Sequence, residues 1–82
     1  MESIARTPLQ LGNSIREARR KLGLSQEQLA AKVGVRQRTV SDIEGTGTAR
    51  VDTLLRVLGV LDLELMVRTR TRSSAKDIEA IF

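Results

Sequence analysis

The chain has no cysteine, histidine, tryptophan or tyrosine, and its 82 residues include one proline and one phenylalanine. Each absence closes off a class of chemistry. Without cysteine and histidine there is no disulfide framework and no zinc-ligand spacing. The side chains that most often serve as nucleophile or as base near neutral pH are missing, and the carboxylates form no paired constellation. No glycine-rich loop of the phosphate-cradling kind is present. The expectation is a protein that is not an enzyme and takes no cofactor, no metal and no small-molecule ligand. No apolar run reaches membrane-spanning length, and MESIARTPLQ lacks the apolar stretch of a secretory signal, so a cytoplasmic location is expected.

With Phe82 as the sole aromatic, the core must be aliphatic and thin. Burial against a second copy would supplement it. The net charge is +4 and the pI about 10.7, a modest basicity exaggerated by the lack of groups titrating between carboxylate and lysine. Most of the cations are arginine, whose planar fork pairs bidentately with guanine or phosphate. Such a balance suits a protein that approaches a polyanion and then reads it.

Residues 25 to 44, SQEQLAAKVGVRQRTVSDIE, predict two short helices joined by a tight turn. Ser25 and Gln28 make a capping box, and Leu29, Ala30 and Val33 give the first helix an apolar face. Gly34 ends it, because glycine accepts the left-handed backbone that follows a helix. The second helix turns Val40 and Ile43 inward and leaves Arg36, Gln37, Arg38, Thr39, Ser41 and Asp42 outward. Those forked donors, amides and hydroxyls suit base edges and phosphates, so this is the expected recognition helix of a DNA-reading helix-turn-helix.

The remaining elements follow from the same signals. Thr7, Pro8 and Gln10 start a first helix whose apolar face is Leu11, Ile15, Ala18 and Leu22. Arg16, Arg19, Arg20 and Lys21 crowd its later turns, which fits either phosphate contact or a solvated face at the helix's negative end. Gly23 closes it. After Glu44, GTGTAR reads as a loop whose Thr46, Thr48 and Arg50 grip a phosphate, although a plain connector would look alike; Thr48 is the best N-cap for a fourth helix bearing Val51, Leu54, Leu55 and Leu58. Residues 61 to 68 alternate, with Leu61, Leu63, Leu65 and Val67 against Asp62, Glu64, Met66 and Arg68. Alternation predicts a strand over continuation of the helix, and a lone strand needs a partner, so it should pair with its twin across a homodimer. Leu61, Leu63, Leu65, Met66 and Val67 are the dimer residues on that reading. The domain plan is a flexible N-terminus (1–6), a DNA-binding domain (7–60), a dimerisation strand (61–68) and a mobile tail (69–82). In the tail, Ile78, Ile81 and Phe82 suit a docking peptide for another protein, or a frayed end packing on its own domain.

In the recognition helix the early turns reach bases, so Arg36, Gln37 and Arg38 rank first, Arg38 toward guanine. Gln37 suits adenine or bracing of a neighbour. Asp42 would orient Arg38 or accept from cytosine, and Ser41 is a weaker base contact. Ser25 and Gln26, at the preceding helix's N-terminus, face phosphates together with Thr39 and Arg16. A two-fold dimer presents two such helices about 34 Å apart, which implies a palindromic double-stranded target.

Gln26, Ala30, Gly34, Val40 and Ile43 match the pattern of the Cro and lambda-repressor type helix-turn-helix, and the chain resembles that family. The resemblance implies a mostly α, lambda-repressor-like bundle of four helices plus a C-terminal β-strand shared across a homodimer. It implies DNA contacts at Gln26, Gln37 and Arg38, and an ion pair between Arg19 and Glu44. Over residues 7 to 68 the chain looks like the HipB antitoxin group. That likeness implies autoregulation of an operon, a HipA-like serine/threonine kinase toxin as partner, and nucleoid-associated work in the cytoplasm, with Phe82 as a toxin anchor. A stand-alone phage-type regulator and a protein-interaction adaptor on the same scaffold are the alternatives.

Overall fold

A computed structural model describes residues 2–70, and Ile78, Ile81 and Phe82 lie outside them. The described chain forms four helices, α1 (Pro8–Lys21), α2 (Gln26–Val33), α3 (Gln37–Thr46) and α4 (Val51–Val60). Local chemistry sets the first two starts. The Thr7 side chain accepts from the Gln10 amide at 3.1 Å with Pro8 in the first turn, and the Ser25–Gln28 capping box is reciprocal, at 3.0 and 2.8 Å. The stops are equally local. Gly23, Gly34 and Gly47 take positive φ after α1, α2 and α3, the conformation that closes a helix end without a Cβ penalty.

Helices α1 and α2 pack on α3, and α2 also meets α4. Between them lies an aliphatic core of Ile15, Ala18, Leu29, Ala30, Val33, Val40, Ile43, Val57, Leu58 and Leu61. Buried Ala30 has the small side chain that lets the α2 and α3 backbones approach.

Several expectations need correction. Helix α3 continues through Gly45 to Thr46, two residues past Glu44, and stops only where Gly47 turns left-handed. The N-cap of α4 is Arg50, with no side-chain cap bond, and Thr48 has no such role. Leu22 is 53% exposed because it is the C-cap of α1, beyond the last turn that faces the core. On α4 the inward pair is Val57 and Leu58, while Val51 and Leu55 are exposed.

Leu61 is the correction that bears on function. It is 3% exposed, part of the core and the C-cap of α4, so it is not available to a dimer partner. Asp62 follows at φ 59°, its N–H donating to the Gly59 carbonyl and that of Leu63 to the Leu58 carbonyl at 2.8 Å. This doubly bonded left-handed closure ends the helix. Residues 63–70 then run on as neither helix nor strand, so in the single chain neither the strand expected over 61–68 nor the competing helix forms; among the described residues a strand has no second strand to pair with.

Candidate nucleic-acid interface

Helix α3 presents its polar side to solvent because Val40 and Ile43, on its other side, are 1% exposed in the core. Arg36, Gln37, Arg38, Ser41 and Asp42 are all exposed, and Thr39 is half-buried. Arg36 is the N-cap, and as a donor-only side chain it makes no capping bond to the helix's free N–H groups. Arg38 and Asp42 lie one turn apart with Nε to Oδ2 at 3.9 Å, and their side chains are 90% and 60% exposed. An ion pair that loose and wet adds little to stability, but it keeps the two groups adjacent.

Ser25 and Gln26 sit beside this surface at the start of α2. The Ser25 oxygen accepts the Gln28 amide, which leaves its hydroxyl proton to donate. Gln26 is half-buried, with Nε2 on Glu44 Oε1 at 3.2 Å. The α3–α4 connection is more committed than its sequence suggests. The Thr46 hydroxyl donates to the Asp42 carbonyl at 2.7 Å and accepts from the Thr48 amide at 3.3 Å, so its single proton is held within the turn. Arg50 is exposed, with Nε 3.2 Å from Asp52 Oδ1. The backbone N–H of Thr53, above all, holds the Asp52 carboxyl below its usual range, with Arg50 adding to the effect.

Glu44 organises the whole face from beneath. It is completely buried, and Arg19 is 8% exposed. Arg19 grips both carboxylate oxygens, Nε to Oε2 at 2.6 Å and Nη2 to Oε1 at 3.0 Å, and its Nη1 donates to the Leu24 carbonyl at 2.8 Å. One side chain thus ties α1 to α3 and braces the α1–α2 turn. Burial alone would push the Glu44 carboxyl up. Hydrogen bonds from Arg19 and Gln26, the Arg19 charge and the Arg16 hydrogen bond outweigh it, and the carboxyl lies below its ordinary value. The Arg19 guanidinium is raised, chiefly by the hydrogen bond to Glu44.

The structure therefore brings together Arg16, Arg19, Gln26 and Glu44, and it sets Ser25 beside them at the α2 cap. Beyond the expected pairing of Arg19 with Glu44, Gln26 and Arg16 join the same carboxylate. The spacing of Arg16 and Arg19, three apart on one helix face, was the available signal. Among the described residues no cluster of acidic groups could hold a metal ion, and no helix is long and apolar enough to cross a membrane.

Residues 15–66 match the family model described as helix-turn-helix. The chain belongs to that family, one of DNA-binding regulators and not of enzymes. Antitoxin HipB of Escherichia coli strain K12 is 28% identical over 74 residues, covering 89% of this chain and 84% of the relative. A solved HipA–HipB–O2–O3 complex matches with TM-score 0.74 at 28% identity, over 87% of this chain and all of the other. SinR, the master regulator for biofilm formation solved with DNA, matches at TM-score 0.61 and 32% identity over 66% of this chain and 89% of that one. Within the helix-turn-helix family the chain is thus similar in sequence and fold to the HipB antitoxins.

Proposed function

We propose that this chain is a dimeric, sequence-specific repressor that reads a palindromic operator, regulates its own operon and serves as antitoxin to a HipA-like serine/threonine kinase. The observation that carries DNA reading is the exposed row Arg36, Gln37, Arg38, Ser41 and Asp42 on a helix whose back is fixed in the core by Val40, Ile43 and Glu44. Rigid presentation of donors and acceptors is what base readout needs. Ser25, Gln26, Arg16, Thr39, Thr48 and Arg50 supply phosphate contacts on the same reading, while Thr46 would first have to give up its bond to Asp42.

Dimerisation is supported by Leu65, Met66 and Val67, consecutive large apolar side chains that are 54%, 65% and 94% exposed in the single chain. They line one groove with Ile4, Leu11 and Leu63. An apolar run of that kind is uneconomical in water and fits burial against a second copy. The working division is then residues 7–61 for DNA, 63–67 for the dimer and the segment beyond for the toxin. The toxin is the reading's outermost layer and rests on the likeness to HipB, solved with HipA and operator DNA. On this reading the protein works in the cytoplasm at the nucleoid.

Co-expression with a HipA-like kinase from the same genome, with and without residues 70–82, tests the antitoxin role. Capture of the kinase by the full chain and its loss on truncation are expected. Failure of the full chain to capture the kinase would leave a stand-alone regulator.

A further inference from the structure

Glu44 receives hydrogen bonds from three side chains on two helices, Arg16 and Arg19 from α1 and Gln26 from α2. Arg19 alone is enough to neutralise it, with two bonds at 2.6 and 3.0 Å and a side chain only 10% exposed. Arg16 differs. It reaches Oε1 with Nε at 3.4 Å, its side chain is 39% exposed, and its two terminal nitrogens have no acceptor among the described residues. Gln26 spends one Nε2 proton on that same oxygen at 3.2 Å and retains the other.

Two guanidiniums on one carboxylate leave the cluster a net positive charge, and the surplus cation is the half-exposed one. A pair serving stability alone gains little from a second arginine held so loosely, because ordering a long exposed side chain costs entropy. Holding it there does have a use. Arg16 and Gln26 touch a single oxygen atom, so their unspent N–H groups are close enough for one tetrahedral anion to accept from both.

We infer that Glu44 is a positioning residue for DNA-backbone recognition, holding Arg16 and Gln26 together as a clamp on one phosphate. The inference rests on the DNA-reading role proposed above and adds the coupling of that clamp to the buried ion pair. Glu44 itself never meets the DNA; Arg19 cancels its charge, and Arg16 supplies the attraction.

The test is binding of the full chain to a mixed-sequence DNA duplex, followed by fluorescence anisotropy across a salt series. Arg16→Ala is expected to bind about tenfold more weakly, with the slope of log K against log salt shallower by about one unit per protomer. Arg16→Lys should restore the slope but not the affinity, since an ammonium keeps the charge and loses the fork. Gln26→Ala should cost less in the Arg16→Ala background than in the wild type, and Glu44→Gln should weaken that coupling. If Glu44→Gln does not fold, as judged by circular dichroism, the Arg16 and Gln26 cycle carries the test alone. An unchanged salt slope in Arg16→Ala together with additive losses, in a wild type that binds the duplex, overturns the clamp and leaves the DNA reading standing. A wild type with no salt-dependent affinity removes the DNA reading, and the clamp with it.

Discussion

Gly12 on α1 lies so close to α3 that a Cβ placed on it would stand 2.5 Å from the carbonyl oxygen of Ile43 and 2.7 Å from that of Glu44. Both obstacles are backbone, and neither can swing away. The missing side chain sets how near α1 comes to α3, the helix that carries Glu44. Gly12→Ala is expected to lower stability by about 2 kcal/mol, overpacking outweighing the roughly 1 kcal/mol of helix propensity gained. Gly59 on α4 has nothing among the described residues within 4 Å of such a Cβ, and Gly59→Ala should raise stability by about 1 kcal/mol. Urea titrations of both variants check the opposite signs.

Glu44 predicts an acid limb in the stability profile. Its carboxyl is held below the ordinary value of 4.5 in the folded protein. The unfolded chain therefore takes up a proton first as pH falls, so this contribution is complete above about 4.5 and is lost as pH drops through the folded value. Glu44→Gln should flatten that limb, and Glu44→Ala should cost about 3 kcal/mol at neutral pH by leaving Arg19 buried without its partner. Denaturation midpoints measured from pH 7 down to pH 3 would show a shared acid limb if another group is responsible.

How legible these features were depended on how local they are. The starts at Thr7 and Ser25 and the stop at Gly34 are decided within four residues, and the sequence shows them directly. Glu44 as a common acceptor for Arg16 and Gln26 requires knowing how three helices cross, which no spacing along one helix conveys. Gly12 sits on the stripe of Ile15 and Arg19, where a helix-interior glycine already hints at a close approach. Leu61 departs from its expected place for a definite reason. Alternation of Leu61, Leu63 and Leu65 suits a strand, yet the first of the three is also the C-cap of α4, and core burial takes it.

Asp62 is the only non-glycine residue with positive φ among those described, in the place glycine fills after α1, α2 and α3. Asp62→Gly should stabilise by about 0.5 kcal/mol and Asp62→Val should destabilise by about 1 to 2 kcal/mol, because a β-branched side chain tolerates the left-handed region poorly. Thermal melts of the two variants should move in opposite directions, and a common shift would mean that Asp62 acts through its charge.

Arg38 lies on the exposed side of α3, and among the described residues its side chain has only the loose contact to Asp42. Arg38→Ala should leave stability nearly unchanged and lose about 1 to 3 kcal/mol of discrimination at one base pair per half-site. Selection from a randomised duplex pool followed by sequencing reads this out. A preserved consensus with uniformly weaker binding would reassign Arg38 to phosphate.

Val67 offers the sharpest test of the dimer because it is 94% exposed in the single chain. A side chain with so few neighbours can be replaced by aspartate at almost no cost to a monomer, so folding is not at risk. In a two-fold dimer the same substitution places two carboxylates near a shared apolar interface, where each is penalised by lost hydration and by the other. Val67→Asp is therefore expected to shift sedimentation equilibrium from dimer to monomer while the helical circular dichroism stays intact. Operator affinity should fall with it, because one recognition helix alone engages half a palindrome. An unchanged molecular mass would place the dimer contact elsewhere, or show that each chain reads DNA singly.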